Sequence, residues 1–304
     1  MENTGYTKPL YILPFDHRIT FAKNIFSKNS LDELTNEERL LISEYKKIIY
    51  EGFKKAVQNG VPKESSAILV DEEFGDEILK DAKQDGFLTI LTTEKSGQDE
   101  FELQYGGDFT LHIDKYNPDF VKVLLKYNPE DEDNLKKREL EKLKTVTDFC
   151  KVKGFKFLLE VLVIPSNKQL MSVNNSKEEF DNKLRPKLTA EVVRQFHQNG
   201  VEPDVWKLEG FDSKEAYKEV IETAREKGRS SVSLVILGRG ENEEKVDEWL
   251  SIGKDVVGVI GFAVGRTVFW QSILDFRSGA KSREQIVEEI SNNFIKFYKI
   301  FTSK

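Results

Sequence analysis

Short apolar segments rich in β-branched residues recur along the chain and alternate with longer polar segments whose hydrophobic residues return at helical spacing. This alternation is typical of repeated βα units. Eight strands are predicted, at residues 10–16, 66–71, 87–92, 120–127, 157–164, 205–210, 232–238 and 256–265. Helices are predicted between and after them, at residues 37–59, 76–85, 131–153, 189–199, 213–227, 241–252 and 282–301.

The order of these elements favours a closed barrel. Several predicted helices end on a glycine, which suits the left-handed conformation that commonly closes a helix: Gly60, Gly154, Gly200 and Gly228. Eight strands alternate with helices, and no linker rich in proline, glycine or serine separates them. The pattern therefore predicts an α/β protein with one (β/α)8 TIM-barrel domain over residues 1–304. A doubly wound open sheet is the alternative fold.

Two segments, residues 93–117 and 166–185, fit the repeated pattern least well. Both follow predicted strands, on the side where a barrel carries its active-site loops. They are interpreted either as loops that contact a substrate or as solvated insertions.

Composition narrows the class of protein. The 304 residues include 46 basic and 53 acidic side chains, for a formal net charge of -7, and no dense basic stretch indicates nucleic-acid or anionic-membrane binding. The single cysteine, Cys150, excludes an internal disulfide framework and fits a reducing compartment, with helix packing favoured over catalysis. Residues 1–10 lack an apolar signal core, and the apolar run at 256–264 is too short to span a bilayer. We expect a soluble, cytoplasmic protein.

Charged residues interrupt strands that should be apolar. A barrel strand is covered on both faces, so a charge near its C-terminal end needs a partner or a chemical role. In the sixth strand Lys207 and Glu209 share one face, while Trp206 and Leu208 share the other, which suits the helix layer. Lys207 is therefore expected to face the barrel axis, where loss of hydration favours a neutral, nucleophilic amine. A structural salt bridge is the alternative for Lys207.

The same parity places Lys122 and Glu160 on the inner faces of the fourth and fifth strands. A class I aldolase needs one amine that forms an imine, a second cation that favours the neutral amine, and a carboxyl group that moves protons. Lys207, Lys122 and Glu160 match these three roles on three strands that would be adjacent in a barrel. For any single lysine in this lysine-rich chain, a surface charge is the alternative.

Acidic residues also close the first two strands. Asp16 shares a face with Pro14, so its carboxylate is predicted to approach the same axis and to bind a substrate hydroxyl or orient a lysine. His17 points the other way by parity, unless the strand has already ended. Asp71 and the two glutamates after it either bind substrate or cap the next helix, and no catalytic role is assigned to them.

The last two strands are followed by Gly-Arg pairs. Gly238 and Arg239 follow the seventh strand, and Gly265 and Arg266 follow the eighth. Barrels frequently bind phosphate with these two loops, through backbone amides, a helix N-terminus and arginine. The four residues, together with Arg18, are the predicted substrate and phosphate ligands. Glycines that merely begin helices are the alternative.

The sequence gives no sign of a metal ion or an organic cofactor. His17, His112 and His197 are scattered and show no paired ligand spacing. The glycines near residue 238 lack the full dinucleotide-binding pattern. No cofactor is therefore expected.

Six short segments, in this order and spacing, resemble the class I aldolases of the tagatose 1,6-bisphosphate aldolase type. The resemblance is stronger to the aldolase-like domain fused behind the kinase in bacterial 5-dehydro-2-deoxygluconokinases, and it covers nearly the whole chain. The segments are LPFDHR at 13–18, ILVD at 68–71, VKVLL at 121–125, FLLEVL at 157–162, VWKLE at 205–209 and VGRT at 264–267.

The resemblance implies a (β/α)8 barrel in which Lys207 forms the Schiff base, Glu160 shuttles protons, and Asp16 and Lys122 complete the site. It also implies that the Gly-Arg pair after the eighth strand holds a substrate phosphate. The fused relative suggests 2-deoxy-5-keto-gluconate 6-phosphate, cleaved to dihydroxyacetone phosphate and malonic semialdehyde in inositol catabolism. The chain departs from that relative in having no kinase domain, and from the tagatose enzymes in having His17. These departures leave the substrate open.

The charged strands and Gly-Arg pairs are compatible with three functions. The first is a carbon–carbon lyase acting on a phosphorylated ketose or keto-sugar acid. The second is a non-catalytic barrel that binds a sugar phosphate as a sensor or scaffold, although a binder needs only part of the charged set. The third is a ketose-phosphate isomerase that uses Glu160 and a lysine. The expected partner is a phosphorylated sugar, and the sequence leaves open whether the chain forms a homo-oligomer.

Overall fold

A computed structural model describes residues 4–238 and 243–303 of the chain. Eight parallel strands pair in sequence order, and β1 also pairs with β8, which closes the barrel. The strands are β1 Leu10–Pro14, β2 Ser66–Val70, β3 Leu88–Thr92, β4 Phe120–Tyr127, β5 Lys156–Val163, β6 Val205–Glu209, β7 Ser233–Leu237 and β8 Val259–Ala263. The predicted TIM barrel is thereby confirmed, and the open-sheet alternative is wrong.

Helices lie between the strands and cover the barrel. They are α1 Ile19–Phe26, α2 Asn36–Gln58, α3 Glu72–Gln84, α4 Phe109–Tyr116, α5 Asp133–Lys153, α6 Asn167–Ser172, α7 Lys177–Glu179, α8 Arg185–Gln198, α9 Lys214–Arg225, α10 Glu243–Gly253, α11 Arg266–Arg277 and α12 Arg283–Thr302. Short 3₁₀ helices span Leu31–Glu33, Lys63–Ser65, Gly106–Asp108 and Glu226–Gly228, and a π-helical segment, Phe180–Leu184, precedes α8.

The seven predicted helices are present, and α1, α4, α6, α7 and α11 are additional to the prediction. In α2 and α12 the first turn is closed by a capping box, with Thr35 or Ser282 as the capping residue. By contrast α1, α4 and α11 begin without a side-chain cap hydrogen bond. Caps do not separate predicted from missed helices, because α5 and α8 also lack such a bond and the missed α6 begins with a capping box.

Local boundaries also follow from caps. Asp71 accepts a hydrogen bond from the Phe74 backbone N–H at 2.9 Å, so α3 begins directly after β2 and earlier than predicted. At the end of α5, Gly154 has a φ of 81° and its N–H bonds back to the Cys150 carbonyl. This left-handed closure agrees with the sequence-based prediction.

The core forms two layers separated by the barrel wall. The inner layer consists of apolar side chains inside the barrel: Leu10, Ile12, Ala67, Leu69, Ile90, Phe120, Leu158, Val205, Val235 and Ala263. The outer layer lies between strands and helices, and there the Trp206 ring packs on Phe196 of α8 with centroids 5.9 Å apart. The predicted parity of β6 is therefore confirmed, because Trp206 faces the helices.

Cys150 is buried in α5, and burial raises the pKa of its thiol. This environment matches the predicted packing role. Within the described part of the chain, no helix combines the length and apolar character needed to cross a membrane.

Candidate active site

A cavity of about 320 Å³ opens at the C-terminal end of the barrel. Four charged side chains predicted from the sequence line it: Asp16, Lys122, Glu160 and Lys207. Residues 94–99, 101 and 102, after β3, and residues 265–267, after β8, form further parts of its wall. This end of the barrel is the one that carries the active site in TIM-barrel enzymes.

Strand register brings three of these side chains together. Lys207 on β6 lies opposite Glu160 on β5, and Glu160 lies opposite Leu124 on β4. Lys122 precedes Leu124 by two residues, so its side chain leaves the same face of β4. The predicted adjacency of the three charged strands is confirmed.

One oxygen of Glu160 lies between two lysines. Its Oε2 atom is 2.6 Å from Lys207 Nζ and 3.1 Å from Lys122 Nζ. The side chains are almost completely buried, at 5 % exposed for Lys207 and 1 % for Lys122. Charges removed from water in this way require compensating partners. Lys207 therefore forms a salt bridge, which is the alternative interpretation of this residue from the sequence, and the same contact provides a direct route for a proton between amine and carboxylate.

Lys122 is the centre of the cluster. Its Nζ atom donates hydrogen bonds to Asp16 Oδ2 at 2.7 Å and to Glu94 Oε1 at 2.6 Å, in addition to its ion pair with Glu160. Burial alone would lower the pKa of Lys122, but the three carboxylates together raise it. Lys122 is therefore a fixed cation at neutral pH.

Asp16 and Glu160, the two carboxylates predicted from the sequence, are anionic at neutral pH. Burial would raise the pKa of Asp16, but Lys122 and Lys207 hold it well below its usual value. The same two ammonium groups outweigh burial and lower the pKa of Glu160. Thr92 also donates its hydroxyl hydrogen to Asp16 Oδ2, at 2.7 Å. Glu160 is therefore ready to accept a proton before it donates one.

His17 lines the cavity because β1 ends at Pro14 and strand parity no longer applies to it. Burial lowers the pKa of His17 to about 4, and the positive charges of Arg266, Lys207 and Lys46 act in the same direction against the pull of Asp16. The imidazole is thus neutral at neutral pH. From the sequence, His17 could turn towards the barrel axis only if the strand ended before it, and β1 does end before it.

The predicted phosphate ligands lie on one side of the cavity. Gly238, Gly265 and Arg266 line it, and Arg239 lies outside the described residues. Gly265 precedes the first turn of α11, and a Cβ atom there would lie 2.3 Å from the Pro14 carbonyl oxygen. Only glycine therefore allows β1 and this helix start to approach so closely. A helix N-terminus beside arginine favours an anion.

Arg18, the remaining predicted ligand, is buried and also lines the cavity. Its guanidinium donates to the Glu94 carbonyl at 2.6 Å and to the Gln104 side chain at 3.3 Å. Arg18 therefore supports the segment after β3.

Sequence reasoning missed Glu94. This residue is 7 % exposed, lines the cavity, and forms an isolated antiparallel bridge with Leu103. The inner-face alternation of β3, which includes Ile90 and Thr92, continues past the strand end to Glu94. Extending the parity argument by two residues would have identified it.

The two segments that fitted the pattern least well differ in role. Most of residues 94–102 lines the cavity, whereas none of residues 166–185, all of them described, does so. Asp71 likewise is absent from the lining and pairs with the buried Lys46 of α2 while it caps α3. The capping interpretation of Asp71 is therefore confirmed.

Solved structures share the fold of this chain, among them two of low sequence identity. Cgl0159 from Corynebacterium glutamicum is 15% identical, with a TM-score of 0.59 over 95% of this chain and 86% of that chain. An archaeal fructose 1,6-bisphosphate aldolase is 13% identical, with a TM-score of 0.56 over 95% of this chain and 94% of that chain. At these identities the likeness shows an aldolase-like barrel fold and no more. The relation to kinase-fused enzymes stays a prediction.

No curated protein matches the chain by sequence. Residues 2–304 match the family described as "Uncharacterized protein conserved in bacteria (DUF2090)". The match covers nearly the whole chain, and the chain therefore belongs to this family.

Proposed function

We propose that this protein is a class I aldolase that cleaves a phosphorylated ketose or keto-sugar acid through a Schiff base on Lys207. The observation that carries the proposal is the single Glu160 oxygen between Lys207 and Lys122, at 2.6 and 3.1 Å, inside a cavity. A salt bridge that only stabilised the barrel would not need to line an open cavity. This one does, beside a helix N-terminus suited to phosphate.

Imine formation uses the Lys207–Glu160 pair. The Lys207 ammonium transfers a proton to Glu160, and the neutral amine then attacks the substrate carbonyl carbon. Glu160 returns the proton to the resulting hydroxyl group, which leaves as water. Lys122 keeps its proton throughout, because three carboxylates surround it.

Carbon–carbon cleavage follows from the imine. The positively charged nitrogen accepts the electron pair of the breaking bond, so an aldehyde departs and an enamine stays on Lys207. Protonation of the enamine carbon and hydrolysis release a ketone and restore the lysine. Asp16, an anion fixed by Thr92 and Lys122, is placed to bind a substrate hydroxyl.

The cavity favours a small phosphorylated substrate. Its volume of about 320 Å³ is at the lower end of the range for small-molecule sites. Gly265 and Arg266 are the proposed phosphate ligands, and Arg18 adds a positive charge to the cavity lining. The sequence resemblance supports 2-deoxy-5-keto-gluconate 6-phosphate as the first substrate to test.

Reductive trapping tests the proposal. Sodium borohydride is added with dihydroxyacetone phosphate, and separately with ketose phosphates, and the protein is analysed by intact and peptide mass spectrometry. We expect a stable adduct on Lys207. The variant Lys207→Met should give none, whereas Lys126→Met, which removes a half-exposed lysine at the cavity rim, should still be labelled.

The absence of an adduct with every ligand would overturn the Schiff-base mechanism. Binding without an adduct would then favour a sugar-phosphate-binding barrel. Proton exchange without an adduct would favour an isomerase, because proton abstraction alone leaves no reducible imine.

A further inference from the structure

A third carboxylate, Glu94, belongs to the charged cluster and has no proton-transfer role in the mechanism above. Its Oε1 atom accepts a hydrogen bond from Lys122 at 2.6 Å. Its Oε2 atom is buried and has no hydrogen-bond partner in residues 4–238 and 243–303. Because Glu94 also lines the cavity, its carboxylate keeps unused acceptor capacity beside the space where a substrate would bind.

The other two carboxylates are already engaged with specific groups. Asp16 Oδ2 receives hydrogen bonds from Thr92 and Lys122, while Glu160 Oε2 contacts the amine that would form the imine. Lys122 lies between Glu160 and Glu94. Glu94 is therefore displaced from the imine nitrogen and borders a different part of the cavity.

Carbon–carbon cleavage needs a base away from the imine nitrogen. The hydroxyl group on the second carbon from the imine carbon must lose its proton as the bond breaks. We infer that Glu94 accepts this proton, an assignment that rests on the proposed aldolase function.

The step balances without a further reactant. The Glu94 carboxylate takes the hydroxyl proton, and the O–H electron pair becomes the second bond of the aldehyde carbonyl. The electrons of the broken carbon–carbon bond move into the imine, which becomes an enamine on Lys207. In the reverse direction, protonated Glu94 returns the proton to the new alkoxide.

The surroundings of Glu94 hold it in place for this role. Arg18 donates to the Glu94 carbonyl at 2.6 Å, and the backbone of Glu94 pairs with Leu103 across the loop. Both contacts fix the main chain and leave the carboxylate to Lys122 and the cavity. A proton-transfer group requires this kind of support.

The test separates three steps in the variant Glu94→Gln. Borohydride trapping of dihydroxyacetone phosphate reports imine formation, and exchange of its carbon-bound proton in D₂O, followed by NMR, reports enamine formation. Condensation with glyceraldehyde 3-phosphate, malonic semialdehyde or a short unphosphorylated aldehyde reports carbon–carbon bond chemistry. We expect trapping and exchange within about threefold of wild type, and condensation reduced by about 10²–10⁴-fold.

Two further variants support the comparison. Glu100→Gln, in the same segment but paired with Arg138 and outside the cavity lining, should match wild type in all three steps. Glu94→Asp keeps the negative charge and withdraws the oxygens by one methylene. Glu94→Asp should also keep trapping and exchange near the wild-type level while condensation falls. The test therefore remains valid if Glu94→Gln does not fold.

Equal loss of all three steps in both Glu94 variants would overturn the assignment, since it would mean that Glu94 only positions Lys122. Condensation by Glu94→Gln within a few-fold of wild type would also overturn it. Wild-type protein that gives no trapped adduct would instead overturn the aldolase proposal itself. Trapping by wild type without condensation to any of the aldehydes would overturn both the carbon–carbon chemistry and the role of Glu94.

Discussion

The two ends of the barrel interior carry opposite chemistry on the same three strands. Near the N-terminal end of the barrel, each of β4, β5 and β6 points an apolar side chain inwards. Two residues further along, at the next inward-facing position, each strand carries a charged side chain instead. The three pairs are Phe120 and Lys122, Leu158 and Glu160, and Val205 and Lys207. All six are buried.

Equal burial therefore has different consequences at the two ends. The apolar end gains free energy from every side chain removed from water. The charged end must compensate desolvation with ion pairs, and a well-packed apolar replacement would often be at least as stable. A charged cluster at such a position indicates a functional requirement, in a place where the lower barrel supplies the stability.

The variant Lys207→Met tests this separation with the largest expected effect. Carbon–carbon cleavage should fall by several orders of magnitude, because no other group supplies a covalent electron sink. Thermal unfolding should stay close to wild type, since Glu160 keeps its ion pair with Lys122. Steady-state cleavage assays and a melting curve provide both measurements.

Lys126→Met is the matched control for this prediction. Lys126 lies on the same face of β4 as Lys122, nearer the C-terminal end of the strand. It is about half exposed and pairs with the fully exposed Asp99. Its loss should change neither cleavage nor stability by more than a small factor. Near-wild-type turnover by Lys207→Met would exclude the proposed nucleophile.

The variant Leu158→Ala tests the opposite end of the same strand as Glu160. Removing this fully buried side chain should lower the free energy of unfolding by about 2–5 kcal/mol. The kcat of the folded fraction should change little, because the charged cluster is held by its own ion pairs. Denaturant unfolding combined with active-site titration checks both points. A large loss of kcat with unchanged stability would contradict the separation of the two ends.

The smallest predicted effect concerns pH. Burial lowers the pKa of both His17 and His197 from 6.5 to about 4. Between these pH values the histidines bind protons in the unfolded chain but not in the native protein. Each histidine therefore makes the free energy of unfolding fall as pH decreases from about 6.5 to 4. One group contributes at most about 1.4 kcal/mol per pH unit.

His17→Gln, in the candidate site, and His197→Gln, beside Trp206 in the outer layer, should therefore each reduce the loss of stability at acidic pH. Glu139, whose pKa is raised to about 6, acts in the opposite sense within the same range, so the variants are compared with wild type. The measurement is the free energy of unfolding at pH 4.5 and 6.5. An unchanged difference between the two pH values in His17→Gln would show that its imidazole is not desolvated.

The fold could be predicted because its signals are local. Apolar β-branched runs, capping residues and closing glycines such as Gly154 identify elements within a few residues. Helices α1 and α4 escape these signals because each spans only 8 residues, too few to give a clear hydrophobic periodicity.

The candidate site could be predicted where strand parity applies. Lys122, Glu160 and Lys207 lie inside strands, and alternation alone puts them on the inner face. Glu94 lies two residues beyond the end of β3, where the alternation continues although the strand has ended. His17 lies beyond the end of β1, where alternation gives no direction, and its placement in the cavity required the folded loop.

The sequence by itself determined that eight βα units form, and which face of each strand carries a charge. Both are consequences of side-chain periodicity, which is a local property of the chain. Only the tertiary structure decided that one oxygen of Glu160 meets two ammonium groups and that Glu94 joins Lys122. Those contacts depend on barrel closure and register, because the groups come from residues far apart in sequence and reach a common point only when the strands are adjacent.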